Sequence, residues 1–174
     1  ISVVYQMYLV VCLSGSSTRA CLQLNPQITD LRPVSCTVMP SMDVNPGWTF
    51  EGQWAWGQPT GSAGDPSGGY TGSNVIGYNL SGAYANSIPA YYATSPAFDC
   101  SGASQAYLSF WKWLGVESST YDHATIEIST NGSTWTVIWS HNGGSLQPSA
   151  WEHVEYDISS WAAGQSNVQL RWGM

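Results

Sequence analysis

Between Gly68 and Tyr84 five glycines (Gly68, Gly69, Gly72, Gly77 and Gly82) interrupt Tyr70, Val75, Ile76, Tyr78, Leu80 and Tyr84 too often for a helix to run through them. Glycine takes positive φ at little steric cost, so this spacing describes a short buried strand entered and left through tight backbone. The glycines do not form G-x-x-x-x-G-K-[ST] and no lysine follows them, so they are not a phosphate cradle. Alternation continues elsewhere. Across 106–114, Leu108, Phe110 and Leu114 fall on one face and Tyr107, Trp111 and Trp113 on the other, the pattern of a central or covered strand. Lys112 falls on the Leu108 face, where its stem can pack while its ammonium reaches water. Val154, Tyr156 and Ile158 alternate with His153, Glu155 and Asp157, and 168–172 repeats the pattern with Gln169 and Arg171 outward. A turn at 159–163, at most one helical turn, joins these two segments. Asn131-Gly132 between the runs 124–129 and 134–140 predicts a tight hairpin.

Short strands at this spacing, without helical periodicity, give an all-β fold: an antiparallel β-sandwich or jelly roll. The domain is expected over 42–174. Residues 1–41 form an N-terminal extension: 1–11, rich in β-branched residues, reads as a strand, with a processed or vector-derived segment or a lipid anchor as the alternatives, and a Ser/Thr/Pro-punctuated linker follows at 14–40. Ten Trp and ten Tyr supply a core despite 18 glycines.

Four basic residues against eleven acidic ones, at a net charge of −7, exclude the clustered Lys and Arg that phosphate binding needs, so nucleic acid is not a partner. The apolar run at 1–11 is too short to span a bilayer. An acidic, lysine-poor surface suits a secreted or cell-surface protein and leaves carboxylates available for calcium. Cys12, Cys21, Cys36 and Cys100 lie in no C-x-x-C pair and at no zinc spacing, so disulfides in an oxidising compartment are expected, with all three pairings open.

Neither G-x-S-x-G nor H-E-x-x-H occurs. His141 and His153 are expected in solvent, and the neighbours Asp122 and His123 point apart in extended chain. No enzymatic activity is expected. Trp54 and Trp56 share one strand face and read as core; stacking on a sugar ring, by these two or by Trp113, is the alternative. The stretch 58–69, rich in Pro, Gly, Ser and Asp, predicts an exposed loop with Asp65 at its tip. Asn79-Leu80-Ser81 and Asn131-Gly132-Ser133 fit the glycosylation sequon.

Asn45-Pro-Gly-Trp-Thr-Phe-Glu-Gly-Gln-Trp-Ala-Trp-Gly-Gln-Pro, the Gly68 to Tyr84 stretch, Ser95-Pro-Ala-Phe-Asp-Cys-Ser-Gly, Leu108-Ser-Phe-Trp-Lys-Trp, Ser129-Thr-Asn-Gly-Ser-Thr-Trp and Leu170-Arg-Trp-Gly-Met follow one another in an order that resembles the MAM-like jelly-roll modules of secreted bacterial proteins. Such modules stand beside peptidases of the immune inhibitor A type. The resemblance covers about 43–174, and Ser129 to Trp135 also resembles an Asp-box hairpin with Asn131 in the Asp position. The resemblance implies a calcium site, with Asp43 near the first-strand carboxylate; Asp65 and Asn74 are added from the loop and the glycine-rich stretch. It further implies that the chain stops short of a closing strand, which would carry an Asn-Ile-Asp-Asp-like motif and the partner of Cys100. Residues 1–11 are therefore expected to fill the groove, returning to their own domain in preference to crossing to a neighbouring copy. The function expected is a non-catalytic accessory or adhesion module whose partners are the other domains of its parent protein. A glycan-binding module, or a self-assembling subunit completed by strand exchange, is the alternative.

Overall fold

The computed structural model describes the backbone of residues 3–12 and all of residues 42–174. Ten strands and one helical turn follow in order: β1 (Val3–Cys12), β2 (Thr49–Phe50), β3 (Trp54–Gly57), β4 (Val75–Tyr78), β5 (Tyr92–Thr94), β6 (Gln105–Leu114), β7 (Thr125–Ser129), β8 (Thr136–Ser140), β9 (Glu152–Asp157), α1 (Ser159–Ala162) and β10 (Gln169–Gly173). They form two antiparallel five-stranded sheets, ordered β3-β4-β1-β6-β9 and β2-β5-β10-β7-β8. The fold is an all-β antiparallel sandwich.

Side-chain alternation sets which faces meet. Ile76 and Tyr78 from β4, and Ala106, Leu108, Phe110 and Leu114 from β6, are buried against Ala93, Ile126, Ile128, Leu170 and Trp172 of the second sheet. Trp172 is wholly buried at the centre. Its ring meets Phe110 edge-on at 5.7 Å and Trp48 at 5.3 Å. Burying an indole of this size stabilises the fold by about 4–6 kcal/mol, from roughly 150–250 Å² at 25 cal/mol per Å². Trp54 is core as well, with Tyr78 edge-on against it and its Nε1 donating to the Tyr91 carbonyl at 3.0 Å. Tyr91 packs on the core while Tyr92 lies on the opposite face, as adjacent strand residues must.

β1 occupies the middle of the first sheet. It pairs over ten residues with β6, from Val3 opposite Leu114 to Cys12 opposite Gln105, and over Val3, Val4 and Tyr5 with β4. The expected return of this segment to its own domain is therefore seen, but as the central strand that joins β3-β4 to β6-β9. The linker at 14–40, with Cys21 and Cys36, lies outside the described residues.

Three expectations are corrected. Residues 58–69 are largely exposed, as expected, but the stretch from Gly64 to Tyr70 is docked on the outer face of the first sheet, so Asp65 is not an exposed tip. Tyr70 stacks on Trp111 at 3.6 Å and the Trp113 Nε1 donates to the Gly64 carbonyl at 2.7 Å. Asp65 is consequently buried, at 7% exposure. His141 is buried too, its Nε2 lying 2.9 Å from the Glu117 carbonyl oxygen, because the chain end of β8 folds under the 117–122 loop. The β7–β8 connection is a six-residue loop, 130–135, in which Gly132 has φ +73° while Asn131 does not take positive φ. Asn131 shapes the turn through its side chain, Oδ1 accepting from the Ser133 and Thr134 N–H groups at 2.9 and 2.8 Å.

Candidate binding face

The two outer faces of the sandwich differ. On the first sheet, Trp111 is covered by Tyr70, and Trp113 is engaged edge-on by Trp151 at 5.9 Å besides its bond to Gly64. The aromatic surface there is already spent on the chain's own loop.

On the second sheet the outward positions of β5, β7 and β10 converge. Arg171 opposes Glu127 across the β7–β10 ladder and Thr94 across the β5–β10 ladder. Its Nε and Nη2 both donate to Glu127 Oε2, at 2.9 and 2.6 Å, and Thr125 Oγ1 donates to Glu127 Oε1 at 3.1 Å. The guanidinium stands between two rings, 3.7 Å from the Tyr92 centroid and 4.2 Å from that of Trp135. Arginine suits this place because its planar, weakly hydrated head can stack and pair at once. Gly173 makes the stack fit: a Cβ there would stand 2.8 Å from Tyr92 Cε1 and 2.5 Å from Thr125 Oγ1. The result is a rigid, half-buried row, Tyr92–Arg171–Trp135, flanked by Gln169, Thr94 and the exposed Val137. Aromatic planes beside planar polar groups can take an amphipathic ligand by stacking and hydrogen bonding.

The sites expected from sequence are distributed otherwise. Asp43 Oδ1 accepts the N–H groups of Ser73 and Asn74, at 2.9 and 3.4 Å, so Asp43 and Asn74 are neighbours. Asp65 is a buried residue of the 58–69 loop, next to the Gly64 that Trp113 bonds. Among the described residues no three His, Cys, Asp or Glu side chains converge as a metal group. Of the tryptophans, Trp54 is core, Trp56 is half-buried with Nε1 donating to the Met42 carbonyl at 2.6 Å, and Trp113 is docked under the loop. Cys100 is a fully buried free thiol; burial first, then the charge of Asp99, pushes its pKa up to about 11. Cys12 lies opposite Gln105 on β1.

Two polar clusters resemble catalytic pairs without the means. Ser109 Oγ lies 2.8 Å from His153 Nε2, but Ser109 is 7% exposed in mid-strand, between the β1 and β9 ladders. Its surrounding backbone is paired in the β1 and β9 ladders. Asp122 takes the Tyr84 hydroxyl and, at 2.9 Å, the Glu117 N–H on Oδ2, and so is paired away from His123. Burial above all, then the bond to Asp122, raises the Tyr84 pKa. This cluster pins a loop. The residues missed from sequence are Glu127, Tyr92 and Trp135; opposite charges at outward positions of two alternating strands were the available signal.

No known family model matches this chain. Bacillopeptidase F of Bacillus subtilis (strain 168) is 30% identical over 132 residues, a match that covers 74% of this chain and 8% of that protein. The chain thus spans less than a tenth of the curated relative it matches.

Proposed function

We infer that this chain is a non-catalytic accessory module of a larger secreted bacterial protein. The observation that carries this reading is the proportion of the match: most of this chain aligns with a small part of a much longer protein whose name marks it as a peptidase. The buried Ser109 and the absence of converging metal ligands among the described residues support the non-catalytic half. Immunodetection in the source culture tests the setting. A band well above 18.8 kDa in the medium is expected, whereas a band at 18.8 kDa confined to cells would overturn it. Casein and ester assays of the purified chain test the chemistry; turnover abolished by Ser109→Ala would refute the reading.

Glycan binding is a second reading, favoured by the Tyr92–Arg171–Trp135 row on the uncovered sheet face. Base-level binding on a glycan array that survives Trp135→Ala would remove the row from that role. Adhesion through this face is the corresponding cellular function.

A further inference from the structure

The chain's single lysine does not lie on the surface. Lys112 points from β6 into the sandwich end, its side chain 16% exposed. It lines an open hollow of about 160 Å³ walled by Leu114, Leu146, Gln147, Pro148 and Ala150, with Glu152 at the rim. Its Nζ lies 3.3 Å from Glu152 Oε2 and 5.6 Å from the Trp139 ring centroid. Among the described residues Glu152 is the one carboxylate within ion-pair distance of this ammonium, which carries three donors.

The two partners are unequally placed. Glu152 keeps 66% of its side-chain exposure and stays hydrated, so the pair is weak by the standard of solvent-exposed ion pairs. The Lys112 side chain, by contrast, is mostly buried, packed along the mainly apolar wall of the hollow with its ammonium 5.6 Å from the Trp139 ring centroid. A carboxylate entering the hollow would meet Nζ at lower effective dielectric than Glu152 does, while Glu152 could swing into solvent at little cost. The volume is about that of a cavity known to admit one benzene ring.

We propose that this hollow binds a small organic carboxylate bearing a compact apolar body, with Lys112 as the anion-recognising group and Glu152 as a displaceable internal competitor. The same chemistry is offered by a free aromatic or branched acid and by a peptide C-terminus ending in an apolar residue.

Titration of the full chain with benzoate and with benzamide, followed by calorimetry and by NMR shifts at Leu114 and Leu146, tests the proposal. Benzoate should bind about tenfold tighter than benzamide, the factor of one charge-assisted hydrogen bond. Glu152→Gln should tighten benzoate several-fold by removing the competitor, and Lys112→Met should erase the difference between the two probes. Ala150→Trp, at an exposed wall position, should block both while leaving the core untouched, which keeps the test sound if Lys112→Met misfolds. Acetyl-Gly-Leu with a free C-terminus and with an amidated one distinguishes the sources. Binding of the free peptide assigns the site to chain ends, and binding of benzoate alone assigns it to small acids. Equal affinity for benzoate and benzamide, or weaker benzoate binding by Glu152→Gln, would overturn the proposal.

Discussion

Arg171→Met separates a stacked, desolvated ion pair from a screened surface contact. The Glu127 side chain is 9% exposed, and its Oε2 takes two guanidinium N–H groups. With the guanidinium gone, Thr125 Oγ1 on Oε1 is the remaining side-chain donor to the carboxylate among the described residues. Removing one partner of a buried pair costs about 3–5 kcal/mol, and Met retains the stem between Tyr92 and Trp135, so we expect about 4 kcal/mol. Glu127→Gln should cost only about 1–2 kcal/mol, because Arg171 at 19% exposure keeps an amide oxygen to donate to. The double variant should be more stable than the sum of the two losses by about 2 kcal/mol. Urea unfolding followed by tryptophan fluorescence reads all four chains. A deficit below about 1 kcal/mol would show that solvent screens the pair.

Gly132→Val should destabilise by about 1–3 kcal/mol, since φ is +73° and a Cβ would stand 2.9 Å from Gln169 Oε1; equal urea midpoints for variant and parent would refute this. The Ser159 hydroxyl, followed by its N–H, lowers the Asp157 pKa. Ser159→Ala should raise it toward the ordinary carboxylate value, read by NMR titration, and the small stabilisation that Asp157 contributes above its unfolded pKa should shrink accordingly. If Asp43 and Asn74 belong to a calcium site, millimolar Ca²⁺ should raise Tm and Asp43→Asn should abolish the rise; a Tm indifferent to Ca²⁺ and to chelator removes the site.

Strands β6, β9 and β10 were legible because each carries its own evidence: alternation is local, and a one-residue slip would turn Phe110 or Trp172 to solvent. The buried strand at 75–78 was likewise announced by the glycines around it. What was illegible depended on distant partners. Asp65 looked like a loop tip because its burial is imposed by Trp113, which binds the adjacent Gly64 from 49 residues away. Glu127 and Arg171 are 44 residues apart, and only the β7–β10 register makes them a pair. His141 was misread for the same reason, its partner carbonyl belonging to Glu117, 24 residues earlier. The Asn131-Gly132 signal located the turn correctly but not its type, because Asn131 works through side-chain acceptance instead of positive φ.

The central place of β1 has a kinetic consequence. Tyr8 faces Ser109 across 101 residues (109 − 8) of chain, and among the described residues the two halves of that sheet are joined through β1. Closing so long a loop costs entropy before any ladder bond compensates it, and topologies dominated by distant pairings fold in milliseconds to seconds. Until β1 arrives, the facing edges of β4 and β6 present unpaired N–H and C=O groups. Refolding should therefore slow at the last step of sheet closure, and its yield should fall as protein concentration rises, since another molecule's strand competes for the same opening.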